Sequence, residues 1–277
     1  MRLALAQLLV EGGEAERNFQ RAEKLIAQAA SDSADVILLP ETIDFAWTHP
    51  RALDEALPIP GPFSDLFCGW AKQYEIHICV GLTEKTTEGN YNTAIYIDET
   101  GAIISKYRKI NLLSVEFPYY KIGQNLSVID TKHGKVGVNI CADNYLDGLH
   151  IGHTLARMGA QIILSPSSWT VDYSITETDD PYRDKWLKPF KILASYYDIF
   201  VASTTCVGYI IDGPYQGKKM VGRSMVVDRN GIIVQGLFNE FAGDLVVVDL
   251  TLKPRVEQGT DIGDMLRRRG YKFDEYL

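Results

Sequence analysis

Cys141 ends the apolar run Val136-Gly137-Val138-Asn139-Ile140 and is followed at once by the polar turn Ala142-Asp143. A strand that stops at such a turn leaves its last side chain at a sheet edge, where α/β enzymes keep their chemistry. Taken alone, a cysteine there is more often a small buried hydrophobe. A thiol that attacks substrate needs a base to take its proton and a cation to favour its anion, because only a small fraction of an ordinary thiol is ionised at neutral pH.

Candidates for those partners stand at the ends of other ordered stretches. Glu41 follows Asp35-Val36-Ile37-Leu38-Leu39-Pro40, a short apolar run of the kind expected of a buried parallel strand, at a point where neither a ladder nor a core accepts a charge. Its bland reading is a helix-capping acid for Thr42-Ile43-Asp44. Lys109 lies in Lys106-Tyr107-Arg108-Lys109, where the bland reading is a solvated basic rim. Glu116 opens Glu116-Phe117-Pro118-Tyr119-Tyr120, an aromatic loop able to wall off a pocket, and is by default a surface acid.

Other site chemistries lack their residues. There is no Gly-x-Ser-x-Gly elbow, no His-Glu-x-x-His and no Cys-x-x-Cys. His150 and His153 have helical spacing, but their helix has its own apolar face, so packing is expected rather than metal ligation. Gly12-Gly13 reads as a plain turn, not a phosphate loop. No metal or cofactor is expected.

Taken in order, Pro40-Glu41 after an apolar strand, Lys106-Tyr107-Arg108-Lys109 with an acid seven residues on, and Gly137-Val138-Asn139-Ile140-Cys141-Ala142-Asp143 resemble the nitrilase (carbon–nitrogen hydrolase) superfamily. The likeness extends through Ile122-Gly123-Gln124-Asn125 and 130–137, and then through 156–167, so it spans the chain from residue 3 to about 250. It implies that Cys141 is the nucleophile, Glu41 the general base, Lys109 the stabiliser of the transition state and Glu116 a second glutamate that positions substrate and the catalytic groups. The Lys109 ammonium and the backbone N–H of Ala142 are the expected holders of the oxyanion.

The segment after the nucleophile bears on substrate. Nitrile-cleaving members typically carry Trp-Glu-His there, whereas this chain has Ala142-Asp143-Asn144. The reading favoured is hydrolysis of a small linear amide, with N-carbamoyl compounds next and nitriles after them. An N-acyltransferase and a non-catalytic binding protein are the rivals from other classes. Tyr119, Tyr120, Tyr145, Trp169 and Tyr182 are candidates to line the pocket, or else ordinary packing residues. Ser167 and Trp169 follow a strand as Cys141 does, so the backbone of Ser165-Pro166-Ser167-Ser168-Trp169 is expected to face the same pocket.

The elements that position these residues alternate. Strands are expected at 2–8, 35–39, 76–82, 161–165 and 199–205, and helices near 14–31, 62–74, 148–158 and 183–197. Hairpins are expected over 93–104 and 224–234, each turning at an acid-to-glycine segment. Two such halves suggest two mixed sheets packed face to face with helices outside, which agrees with the four-layer α-β-β-α sandwich that the resemblance implies. A single domain over 1–250 is expected, with 251–277 a charged tail. The resemblance places such a tail on a neighbouring subunit and implies a homodimer or larger homo-oligomer.

Across its 277 residues the chain is 46% apolar, enough for one large core, and its net charge of −8 disfavours nucleic acid. No run reaches the length of a membrane span, and residues 1–8 read as a first strand rather than a signal peptide. Four widely spaced cysteines suit a reducing cytoplasm.

Overall fold

The computed structural model describes residues 1–179 and 181–255. One six-stranded sheet is built from β1 (Arg2–Gln7), β2 (Val36–Leu38), β3 (His77–Thr86), β4 (Gly89–Ile97), β5 (Ile103–Arg108) and β15 (Asp244–Asp249), in the order β15-β1-β2-β3-β4-β5. A second holds β6 (Val128–Thr131), β7 (Gly134–Val138), β8 (Ile162–Pro166), β10 (Phe200–Thr204), β13 (Met225–Asp228) and β14 (Gly231–Gln235), in the order β14-β13-β10-β8-β7-β6. Both follow one plan. Three parallel strands, β1-β2-β3 or β7-β8-β10, carry an antiparallel strand on one side and an antiparallel hairpin on the other. The short strands β9 (Thr170–Val171), β11 (Val207–Tyr209) and β12 (Lys219–Val221) form a third, small sheet.

Alternation along β1 explains the layers. Leu3 and Leu5 enter the core shared with Val136, Val138 and Leu164 of the second sheet. Ala4 and Ala6 point the other way, toward α1 (Ala15–Ser31) and α3 (Pro62–Tyr74), joining Phe19, Ala22 and Ile26 of the first and Phe67 and Ala71 of the second. Phe19, Ala22, Ile26 and Ala29 recur at helical spacing, so α1 presents one apolar stripe. On the far side α4 (His150–Arg157) and α5 (Lys188–Tyr197) cover the second sheet. They cross closely at Gly152, where an added Cβ would lie 2.4 Å from Leu193 Cδ1. The result is the expected α-β-β-α sandwich.

The expected helices and hairpins are present with small shifts of boundary. Helix 183–197 begins as a π-helical turn, Arg183–Leu187, before α5. The hairpin turns form where Asp98 Oδ1 accepts from Thr100 N and Ala102 N, and where Asp228 Oδ1 accepts from Asn230 N and Gly231 N. His153 Nδ1 is 2.9 Å from the Tyr197 hydroxyl, a packing contact between α4 and α5. Strands β6, β9, β11, β12 and β15 were not among those expected, nor was the short helix α2 (Arg51–Glu55). Gly12-Gly13 forms the expected turn, and the ring of His49 and the side chain of Arg51 lie close to it. The expected tail contact with a neighbouring subunit falls mainly on residues 256–277, outside those described. Among the described residues no helix is long and apolar enough to cross a membrane.

Candidate active site

Three of the four expected catalytic residues sit just past the end of a strand, the fourth, Glu116, lies in the 3-10 turn Ser114–Glu116, and the two sheets bring them together. Glu41 follows β2, Lys109 follows β5 and Cys141 follows β7. Its own strand does not deliver Cys141, because β7 stops at Val138 and the residue begins the 3-10 turn Cys141–Asn144. Nor is the thiol displayed at an open mouth: Cys141 is 5% exposed.

Polar side chains below that turn explain its shape. Asp143, fully buried, accepts from Ile140 N (2.8 Å), Asn111 N (2.7 Å) and the Tyr107 hydroxyl (2.6 Å). Tyr107 and Asn111 stand two residues either side of Lys109. One carboxylate thus ties the turn bearing the thiol to the strand end bearing the ammonium. Asn111 Nδ2 adds a bond to Ala142 O at 2.7 Å. Ser165 Oγ, at the end of β8, accepts from Cys141 N (3.2 Å) and Asn144 Nδ2 (2.9 Å). These contacts hold Cys141 in the left-handed region, φ 48°, a conformation that persists only where the surroundings impose it. With the Cys141 N–H engaged by Ser165, the Ala142 N–H is left without a hydrogen bond among the described residues.

Lys109, wholly buried, lies between the two glutamates. Its Nζ is 2.9 Å from Glu41 Oε1 and 2.8 and 3.0 Å from the two Glu116 oxygens. Glu116 is fixed in turn by Trp47 Nε1 (2.8 Å) and Leu113 N (2.8 Å). Asn92 Nδ2 donates to Glu41 Oε1 at 2.7 Å and reaches Glu116 Oε1 at 3.5 Å. Glu41 Oε2 is buried and has no partner among the described residues. The loop that carries Glu41 onward to Trp47 is itself constrained, with Thr42, Ala46 and Thr48 all at positive φ. Asp44 anchors it by accepting from Thr83 N (2.7 Å) and Phe45 N (3.0 Å). Gly81 of β3 lies so close that an added Cβ would sit 2.6 Å from Glu41 Cα.

Electrostatics follow from burial and neighbours. Burial alone would drive the Lys109 ammonium down, but Glu116 and Glu41 outweigh it and hold the group well above its ordinary value. Burial raises Glu41, and Glu116 adds to the rise against the pull of Lys109 and Asn92. Burial and the Glu41 charge push the Cys141 thiol well up, while Lys109 and the Ser168 backbone N–H directed at the sulfur oppose them. The resting arrangement is therefore a protonated thiol beside a proton-seeking carboxylate and a charged lysine. Such a set can carry acyl transfer through a thioester.

The expected pocket residues divide. Tyr145, directly after the nucleophile turn, is half-buried and in electrostatic reach of Cys141, Lys109 and Glu41. Tyr119 is half-buried against Tyr120, which packs in a cluster with Trp47 and Leu112. Trp169 is fully buried, stacked on Trp186 (4.8 Å) and tilted against Tyr182 (4.9 Å). Ser167 turns its hydroxyl to Ser203 Oγ (2.8 Å), and its carbonyl accepts the Glu41 N–H at 3.3 Å. The backbone of 165–169 thus meets the site, while the Ser167 and Trp169 side chains are engaged in packing. Asn92 and Trp47 are members that sequence reasoning did not assign to the site; a buried-strand position occupied by Asn, directly before the run Thr93-Ala94-Ile95-Tyr96-Ile97, was the available signal for the first.

Known proteins bear on this arrangement. The family model described as carbon–nitrogen hydrolase matches residues 2–257. A nitrilase from Pyrococcus abyssi is 26% identical over 281 residues, covering 99% of both chains. Omega-amidase NIT2-B of Xenopus laevis is 29% identical over 180 residues, covering 61% of this chain and 64% of its own. In three dimensions the chain is similar to a mutant amidase from Nesterenkonia sp. AN1, described as showing Michael addition of acrylamide at its active-site cysteine. The TM-score is 0.78 with 20% identity, over 98% of this chain and all of the other.

Proposed function

The chain belongs to the carbon–nitrogen hydrolase family, and from that premise we propose that it hydrolyses small linear amides through a thioester on Cys141. The observation that carries this reading is the buried Lys109 ammonium clasped by Glu41 and Glu116, with one Glu41 oxygen unpartnered among the described residues, in electrostatic reach of the thiol. The preference for an amide over a nitrile rests on Ala142-Asp143-Asn144 after the thiol, where nitrile-cleaving members carry Trp-Glu-His, and the likeness to an omega-amidase is in keeping with it.

In the reaction proposed, the Cys141 sulfur attacks the amide carbon as its proton passes to Glu41. The negative charge that builds on the carbonyl oxygen is held by the Lys109 ammonium and the Ala142 N–H, donors already in place before reaction. Glu41 then gives its proton to the leaving nitrogen, the C–N bond breaks, and ammonia or an amine departs from the thioester. Water attacks the thioester carbon while Glu41 takes its proton, and the sulfur leaves as the acid is released and recovers a proton. Glu116 acts as a positioning residue, keeping Lys109 aimed at the oxyanion. The raised affinity of Glu41 for a proton suits it to both transfers, because a base poised nearer the working pH shuttles protons more effectively.

Intact-protein mass after brief exposure to a panel of primary amides, N-carbamoyl amino acids and nitriles, quenched in acid, tests this reading. An acyl adduct on the native chain but not on Cys141→Ala, together with ammonia release from amides, is the expected result. Turnover of nitriles or N-carbamoyl compounds alone would replace the amide, and turnover that survives in Cys141→Ala would overturn the thioester.

A further inference from the structure

Glu41, Lys109 and Glu116 are buried together, and the hydrogen bonds around them are shared unequally between the two carboxylates. An ionised carboxylate offers about four lone-pair sites, two on each oxygen. On Glu116 each oxygen meets two donors: Trp47 Nε1 (2.8 Å) and Lys109 Nζ (2.8 Å) at Oε1, and Leu113 N (2.8 Å) and Lys109 Nζ (3.0 Å) at Oε2. On Glu41, Oε1 meets Lys109 Nζ (2.9 Å) and Asn92 Nδ2 (2.7 Å), while Oε2 meets none among the described residues.

Trp47 completes the set on Glu116. An indole N–H donates and never accepts, so it fits against a carboxylate oxygen only at an open lone pair. Packing fixes its direction: Trp47 is 6% exposed, clustered with Leu112 and Tyr120, with the Tyr215 ring tilted across it at 5.2 Å and Lys109 Nζ 5.9 Å from its own ring centre. Ala46 and Thr48 on either side stand at φ 70° and 58°, conformations that persist in such residues only where the surroundings impose them. The other titratable groups that face Glu116 leave its lone pairs to these donors. Glu41 and Cys141 feel its charge, and the buried Tyr120 hydroxyl, raised by burial, Asp44 and Glu116, keeps its proton.

We propose that Trp47 is a positioning residue that closes Glu116 to protons, so that the proton leaving Cys141 has a single destination, Glu41 Oε2. The inference rests on the amide-hydrolase reading above and adds to it what keeps two carboxylates on one lysine from exchanging roles. Without the indole N–H, a site opens on Glu116 Oε1 beside Lys109. A proton taken up there removes the charge that holds the ammonium, and Lys109 is no longer aimed at the oxyanion. Because a carboxylate that loses a donor binds protons more readily, the damage grows as pH falls.

The test follows ammonia release from butyramide between pH 5 and 9 in three proteins. These are the native chain, Trp47→Phe, and a chain with benzothienylalanine at position 47, whose ring keeps the indole's shape with sulfur in place of N–H. Both replacements are also made in Glu116→Gln and read on its residual turnover. Expected on the acid side is a kcat about tenfold below native for both replacements, with KM and melting temperature little changed. The deficit narrows as pH rises, and it vanishes in the Glu116→Gln background, where an amide cannot take the proton. A deficit equal at every pH, or undiminished with Glu116→Gln, shows that Trp47 acts through packing and overturns the role while leaving the amide reading intact. Native kcat in the benzothienylalanine protein also overturns it, and decides the matter should Trp47→Phe fail to fold. Absence of ammonia release from every amide with the native protein overturns the amide reading and this role together.

Discussion

The Glu41 amide N–H donates to the Ser167 carbonyl oxygen across 3.3 Å, and this bond joins the end of β2 in one sheet to the end of β8 in the other. The proposed base thereby owes its position to the second sheet as well as to its own. Ser168 Oγ strengthens the link by donating to Glu41 O at 3.3 Å.

Glu41→Gln is expected to fold normally and to lose turnover. An amide oxygen can still accept from Lys109 and Asn92, and the NH2 takes the place of the unpartnered Oε2. What disappears is the proton acceptor, so kcat/KM for an amide should fall by about 10²–10⁴-fold, with the melting temperature little changed. Turnover near the native level would remove Glu41 from the role of base.

Replacing the ammonium acts on stability. Lys109→Met leaves Glu41 and Glu116 buried without their cation, a loss expected to cost about 3–5 kcal/mol in denaturant unfolding near pH 8. The deficit should shrink toward pH 5, where carboxylates stripped of their cation take up protons instead. An equal deficit at both values would mean that packing, not charge, is what the lysine supplies.

Gly81→Ala should injure the site while sparing the sheet. The new Cβ would meet only backbone, at 2.6 Å from Glu41 Cα, 2.8 Å from Pro40 O and 2.9 Å from Thr42 N, so the loop carrying the base must move. A displacement on the order of 1 Å at a reacting group costs about a hundredfold in rate. Measured kcat should drop by that order while circular dichroism is retained.

Asp44 gives the fold a pH dependence of a definite sign. Burial pushes its carboxyl up to about 6 from 3.8, against the hydrogen bonds from Thr83 and Phe45. Between those values the unfolded chain has released this proton and the native chain has kept it, so this group's contribution to stability is greatest below about pH 4 and falls as pH rises to about 6. The difference is worth roughly 3 kcal/mol. Unfolding free energies of native protein and Asp44→Asn, measured from pH 4 to 7, should diverge with that slope. Parallel curves would refute the shift.

Strands that alternate or run apolar were legible because their periodicity is local, whereas Glu41, Lys109 and Cys141 each had a bland local reading and stood out only through the ordered set of motifs around them that resembles a known family. Trp47 and Asn92 were not legible: one reaches Glu116 only through a loop with three residues at positive φ, and the other is a strand residue whose role depends on which face of β4 meets the second sheet. The depth of Cys141 was also hidden, since the strand pattern ends three residues before it and the turn is set by Asp143 bonding to residues more than thirty positions away. Strand β15, the short run Leu245-Val246-Val247-Val248 between two aspartates, pairs with β1 at the other end of the chain, a partner that no local pattern names.

That pairing closes the described chain on itself. Glu41 and Lys109 follow strands of a sheet whose edge is completed by residues 244–249, while Cys141 follows a strand of the other sheet. The sheet behind two of the candidate groups thus has all six of its strands only when the last described strand has met the first, so the distant ends of the chain share one scaffold with the site.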